Sequence, residues 1–409
     1  MLIRFRMCPA AVTGLIALAV NLHAANWTDR GEYDLALSVR AEVSVQKRLS
    51  LLDQWKAKYP ASPMSQARRE LYLSAYHSAG DTAHMIDVVK EMLKEQPNGF
   101  VGVYWCSMLI PGSATSPEWL GTGEKAAGQL LGGLDHYFEG ANKPASMADA
   151  DWSKQKEGSA LLAHRALGWI HWQREELPQA EAEFTAYLRR EPNNAEISSW
   201  LGMVLALEKQ PQKVPTALWQ LARADALRGE GALPEGRRRQ ITTLLELVYT
   251  SYHGDGDGLE ELRKAATGAP APPANFTLET AAAAAARKAQ EEMLRANPEL
   301  AAWQQLQRRL LEPDGADYFT ATLLDKPLPK LKGTLSRSSP AGAPDELLLG
   351  MLNPAVEEVV VKLSSPFPNE APPGTALTFE GLAQSFTRDP FILTVKVDRE
   401  KVTGWPEKQ

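Results

Sequence analysis

LLAHRALGWIHWQREELPQAEAEFTAYLRREPNN, residues 161–194, is the stretch from which the fold is read. Gly168 falls in the middle of a helical pattern, where glycine costs roughly 1 kcal/mol against alanine. A packing reason is therefore expected: the missing side chain lets a following helix press close. Ala180 is the small residue set to face it, and Phe184, four residues on, lies on the same helical face and fills the gap. Pro178 suits the first turn of that second helix, and Pro192 cannot extend it and falls beyond its end. His164 and His171 lie two helical turns apart, about 10.5 Å along the axis. That is too far for both to bind one metal ion, so each is read as a core imidazole with a satisfied hydrogen bond.

These positions together resemble the tetratricopeptide repeat, a helix–turn–helix unit of about 34 residues patterned W-x2-L-G-x2-Y, A-x3-F and a closing proline. Leu167 and Gly168 fill the L-G pair, Ala180 and Phe184 the A-x3-F pair, and Pro192 the close, while the histidines occupy two aromatic slots. One such unit cannot bury its apolar face alone, so neighbours are expected. Residues 195–228 are a weaker copy. Leu201 and Gly202 stand one period on, but the second helix loses register because Glu208 to Pro215 reads as a lengthened turn. Residues 66–99 are a degenerate copy, with Tyr72, Tyr76, Gly80 and Pro97 near the expected offsets.

The resemblance implies an α-solenoid of helical hairpins that acts as a binding scaffold, with the first helices lining a concave groove. The repeat positions that point into such a groove are Leu162, Arg165, Trp169, Trp172 and Gln173 in the strong copy. In the next copy they are Glu196, Ser199, Met203, Ala206 and Leu207. Large aromatics and an arginine are typical interface anchors. The competing reading packs Trp169 and Trp172 beneath an inserted segment around Asp151 and Trp152. The lysine and asparagine set that would grip a peptide's terminal carboxylate is absent.

The rest of the chain is organised around this array. Arg4 and Arg6, an apolar run from Pro9 to Val20 and the small residues ending Leu22 to Ala25 read as a secretory signal over 1–25, too short to span a bilayer stably, with an uncleaved anchor as the rival reading. A periplasmic or secreted location is expected, with no stable membrane insertion after cleavage. Removal of Cys8 would leave Cys106 alone, as a buried structural thiol. The repeat domain is read as 26–268. It begins with Val45, Leu49, Leu52 and Trp55 on one helical face, continues through a pair over 98–139 and a polar insertion over 140–153, and ends with a pair over 233–266.

Residues 269–276, Pro-rich, are read as an extended, semi-rigid linker. Residues 277–326, with six consecutive alanines at 281–286, are read as capping or connecting helices. From Lys330 the period becomes alternating. Strands are expected at 331–337, 346–351, 358–363, 376–381 and 392–397, forming a small β domain over 327–409. Five short strands suit a small barrel or a sandwich, and a five-stranded barrel of the oligonucleotide/oligosaccharide-binding kind is the first expectation.

The functional expectation is a non-catalytic exported scaffold that binds a protein or peptide partner through the array's concave face. The alternative is an envelope glycan-binding or polysaccharide-processing factor acting through the β barrel. A formal net charge of −6, more negative once Arg4 and Arg6 leave, argues against general affinity for nucleic acid. The β region carries 9 basic and 10 acidic side chains, so it has no basic groove for a strand, and Phe379, Phe386 and Phe391 are read as core. Gly121 to Lys125 lacks phosphate-loop spacing. His253 to Gly258 resembles the start of a calcium loop but has Leu259 and Ala266 where ligands belong, so it is read as a turn. Glu175 and Glu176 are read as a solvated turn. No cofactor or metal is expected, and self-association of the array is a further possibility.

Overall fold

A computed structural model describes residues 27–407 except Ala114 and Leu352; the signal-peptide reading of 1–25 lies outside the described residues. The chain divides into two compact units, one ending at Ala281 and the other beginning at Ala282. The first is helical and the second centres on a closed five-stranded β barrel.

The helical unit runs α1 (Arg30–Ala41), α2 (Val45–Lys58), α3 (Ser65–Ala79), α4 (Thr82–Glu95), α5 (Phe100–Leu109), α6 (Pro117–Gly132), α7 (Leu134–Tyr137), α8 (Asp149–Gln173), α9 (Leu177–Arg190), α10 (Ala195–Leu207), α11 (Val214–Ala226), α12 (Glu235–His253) and α13 (Leu259–Gly268). Helices pack largely on their sequence neighbours, and α6 also packs on α8, and α11 on α13. At the start, Leu52 and Trp55 are buried, and the Trp55 indole N–H donates to the buried Glu32 carboxylate at 2.8 Å. The α3–α4 turn at Gly80 has φ of 69°, the left-handed conformation that ends many helices. Cys106 is fully buried on α5, and burial pushes its thiol up to about 12, which makes it a packing residue.

The α8–α9 pair has the interlock read from the sequence. A Cβ at Gly168 would lie 2.5 Å from Cε1 of Phe184, so only glycine lets the ring sit there. The α10–α11 pair repeats it with a shift. A Cβ at Gly202 would meet Cγ of Leu221 at 2.8 Å, and Ala217 with Leu221 takes the part of Ala180 with Phe184. The lengthened turn explains the shift: a 3-10 turn at Pro211–Lys213 precedes α11, and Lys213 Nζ donates to Glu181 and Glu208 at 2.5 and 2.6 Å.

Two segments differ from the sequence reading. The supposed insertion is helical from Asp149, so α8 begins three turns before the repeat pattern starts. Its first turn is polar and exposed, and Trp152 anchors it, with its ring 4.7 Å from Phe138 and its N–H donating to the Phe138 carbonyl. The Pro-rich stretch after α13 turns at Pro273, where the Phe276 N–H donates to the Pro273 carbonyl at 2.9 Å, and it is pinned to α11. Trp219 and Gln220 donate to the carbonyls of Ala269 and Pro270, Arg223 donates to Ala266, Thr267 and Ala269, and Phe276 lies edge-on to Trp219 at 4.9 Å.

In the second unit, α14 (Ala281–Ala296), α15 (Pro298–Leu311) and α16 (Gly315–Tyr318) precede β1 (Leu331–Ser339), β2 (Glu346–Gly350), β3 (Val359–Leu363), β4 (Ala376–Arg388) and β5 (Phe391–Thr403). The barrel closes in the order β1-β2-β3-β5-β4, with β3 and β5 parallel and the other pairs antiparallel. Inward residues alternate along the strands, among them Leu331, Leu347, Val361, Phe379 and Val395. β4 and β5 are longer than expected because the alternation breaks at register shifts between Phe379 and Gly381 and between Ala383 and Ser385. Trp303 and Leu310 of α15 are buried in the barrel's own core, so α15 packs as part of the β unit.

Candidate functional site

The site residues expected from the repeat fall on α8 and α10. Arg165 and Glu196 pair at 3.2 Å across 31 residues, and the Arg165 guanidinium lies 5.2 Å over the Trp200 ring. Trp169 and Trp200 stand at the same separation in sequence, with ring centroids 5.1 Å apart. The two helices therefore lie side by side in one register. One heptad beyond Arg165 and Glu196 come Trp172 and Met203, both partly exposed. Trp172 meets Trp169 edge-on at 5.6 Å.

Exposure divides the expected set. Leu162, Arg165, Trp172, Gln173, Glu196, Met203 and Ala206 are partly exposed, and Leu207 is 51% exposed. Trp169 and Ser199 are buried and present no surface, which corrects their reading as groove residues. The Ser199 hydroxyl donates to its own helix at the Glu196 carbonyl, 2.7 Å away, as a small serine in a tight helix contact does. Trp169 is covered by Trp200 of the next pair, not by the segment around Trp152, which packs on Phe138.

Two residues beside this face escaped the sequence reading. Trp200 is the aromatic on which Arg165 stacks. Arg237, on α12, lies near Glu196, whose charge offsets part of the burial that lowers the arginine's pKa. A third repeat copy would have placed Arg237, but α12 has no Leu-Gly pair to align.

The other expected features are structural. His164 is buried and bridges two groups: Arg190 donates to Nε2 at 2.8 Å, which leaves Nδ1–H to donate to Glu183 at 2.7 Å. This arrangement is a neutral imidazole serving as a cross-brace. His171 Nδ1 lies 2.6 Å from Glu176 across the turn. The His253–Gly258 turn is closed by His253 with Asp255 at 2.9 Å and by the Tyr249 hydroxyl donating to the Asp257 carbonyl. Among the described residues, no group of three or more His, Cys, Asp or Glu is placed to hold a metal ion. No helix among them is long and apolar enough to cross a membrane.

A cleft of about 570 Å³ between α11, α12 and α13 is lined by charged side chains, including Asp225, Arg228, Arg238 and Arg263. Asp225 is buried at its base, accepting from Thr242 at 2.5 Å and Arg263 at 2.7 Å. The cleft is thus braced from within. In the β unit, Phe379 is in the core, while Phe386 and Phe391 are partly buried against Phe319 and Trp303 at 5.1 and 5.8 Å.

On α3, burial pushes the Glu70 carboxyl up to about 7 from an ordinary 4.5, against a smaller stabilisation of the anion by Gln66. A raised carboxyl favours the protonated folded state. Its contribution is intact below pH 4.5 and is lost as pH rises toward 7, because the unfolded chain ionises first. Glu70→Gln is therefore expected to leave the melting temperature unchanged at pH 4 and to raise it by roughly 2–6 °C at pH 8. Equal melting of the two proteins at pH 8 would contradict this.

No protein family and no curated protein matches this chain in sequence.

Proposed function

We propose that the chain is an exported, non-catalytic scaffold whose helical unit is a tetratricopeptide-like solenoid that binds a protein or peptide partner on the face formed by α8 and α10. One observation carries the reading. Side chains that the repeat assigns to its binding face come together from two successive units, Arg165 on Glu196 and on the Trp200 ring, with Trp172 and Met203 beside them and Leu207 half exposed. An arginine stacked on an aromatic, bordered by accessible apolar side chains, is the composition of an interface anchor rather than of a solvated helix face. Its supports are packed, so it is ordered before a partner arrives.

The barrel serves as a second contact module. Its closed five-stranded arrangement supports reading it as a barrel of the oligonucleotide/oligosaccharide-binding kind, and this favours envelope glycan as the alternative ligand. Failure of a fragment starting at Pro298 to be retained on peptidoglycan would remove that alternative.

The test of the main reading is capture of partners from envelope extract by the full chain and by Arg165→Ala and Trp172→Ala, each checked for unchanged melting. Both are expected to lose the captured partner. Capture unchanged by both would exclude this face, and light scattering on the same preparations separates a foreign partner from a second copy of the chain.

A further inference from the structure

The cleft between α11, α12 and α13 keeps its two signs of charge at different ends. Arg263 of α13 gathers the acidic end. Its Nε donates to Asp225 at 2.7 Å, one terminal nitrogen pairs with Glu260, and the other lies 3.4 Å from Glu246 of α12. Three carboxylates thus share one guanidinium. Asp225 is the buried member, whereas the Glu246 and Glu260 side chains are 54% and 79% exposed. Among the described residues, neither glutamate has a second cationic partner.

The other end is cationic. On α12 the lining residues Arg238, Thr242 and Glu246 are spaced by four and share one face, so Arg238 stands about 12 Å along the axis from Glu246. Arg228 is held just past α11 by the carbonyls of Asp225 and Leu227, at 2.5 and 3.0 Å. Asp225 in turn accepts from Thr242 at 2.5 Å, one turn from Arg238. Among the described residues, neither Arg228 nor Arg238 meets a carboxylate. Lys264 also lines the cleft, so four positive charges stand against three negative ones. That near balance favours neither a polyanion nor a polycation. Ala226 is the only apolar lining residue among those described, so side-chain burial offers a ligand little.

We propose that this cleft binds a short peptide, about three residues long, by its two free ends. The terminal carboxylate seats against Arg228 and Arg238, and the terminal ammonium against Glu246 and Glu260. A guanidinium offers a carboxylate two parallel N–H donors, which suits the first end. An extended chain rises about 3.3–3.6 Å per residue, so the ends of a tripeptide lie roughly 8–10 Å apart. That matches the span from Arg238 to Glu246 once the two side chains lean inward. A ligand with a single charge would leave one end of the cleft facing its own sign. This site uses none of the side chains of the α8–α10 face and does not rest on the role proposed for it.

The probe is trialanine, titrated calorimetrically into the full chain at low salt beside its N-acetylated form, its C-terminal amide and free alanine. Trialanine is expected to bind at least about threefold tighter than each of the other three, a margin that shrinks as salt is added. Arg238→Ala should reduce the advantage over the amide and leave the advantage over the acetylated peptide. Glu246→Gln should do the reverse. Arg238 has no carboxylate to lose and Glu246 is largely exposed, so both variants are expected to melt as the parent does. Arg239→Ala, one position outside the lining, is the control and should change neither margin. No saturable heat with trialanine would overturn the proposal, as would equal binding of free alanine or of either capped peptide. Margins unchanged in both Arg238→Ala and Glu246→Gln would also overturn it. An acetylated peptide that binds as tightly as trialanine would mark a simple anion site instead.

Discussion

Phe184→Ala is expected to cost the helical unit about 3–5 kcal/mol, the largest effect of any single truncation between α8 and α9. The ring is fully buried, lies 5.6 Å from Trp200 and sits where a Cβ on Gly168 would have to be. Gly168→Ala alone is expected to cost about 1–3 kcal/mol, because the new methyl is forced against the ring. The informative protein is the double variant. With the ring gone, the methyl has space, and alanine regains roughly 1 kcal/mol of helix propensity. The double variant should therefore be more stable than the sum of the single costs, by about 1–3 kcal/mol in a double-mutant cycle. Urea unfolding followed by circular dichroism measures all four proteins. Strict additivity would mean that the glycine is there for some reason other than the ring.

Trp303→Ala is the second large effect, and it falls on the β unit. Trp303 is fully buried on α15 and meets Phe391 of β5 edge-on at 5.8 Å. Its loss is expected to cost about 3–5 kcal/mol in the unfolding transition of the barrel. The transition of the helical unit should not move, since the two units are separately compact. Two resolved transitions in a calorimetric scan, with only one shifted, would show this. An unshifted barrel transition would mean that α15 merely rests on the β unit.

These two residues also mark how far the sequence could be read. The α8–α9 interlock was legible because a costly mid-helix glycine and an aromatic at the matching offset have one simple joint explanation. The α10–α11 copy was legible in kind but not in register: three extra turn residues carried the contact from Leu218 to Leu221. On the α8–α10 face, the repeat positions named a set of side chains but could not give their depth. Trp169 and Ser199 are both buried, Trp169 against Trp200 of the next unit and Ser199 with its hydroxyl turned back onto the Glu196 carbonyl. The number of strands was readable from alternation, whereas the lengths of β4 and β5 were not, because each bulge resets the period of two. The first turns of α8 escaped because a solvated helix without an apolar stripe resembles a loop. The helices over 277–326 were expected as caps or connectors, and their sequence does not say which surface buries Trp303.

The stretch from Ala269 to Phe276 has a practical corollary. By composition it is the natural place to cut the gene, yet its carbonyls complete the buried guanidinium of Arg223 and cap the indole of Trp219. A helical fragment ending at Gly268 would take one acceptor from the buried guanidinium and leave the Trp219 indole without its acceptor and its Phe276 cover, and should be prone to clumping. One ending at Ala281 keeps both satisfied, so the proline-rich strap belongs to the piece before it as its last fastening.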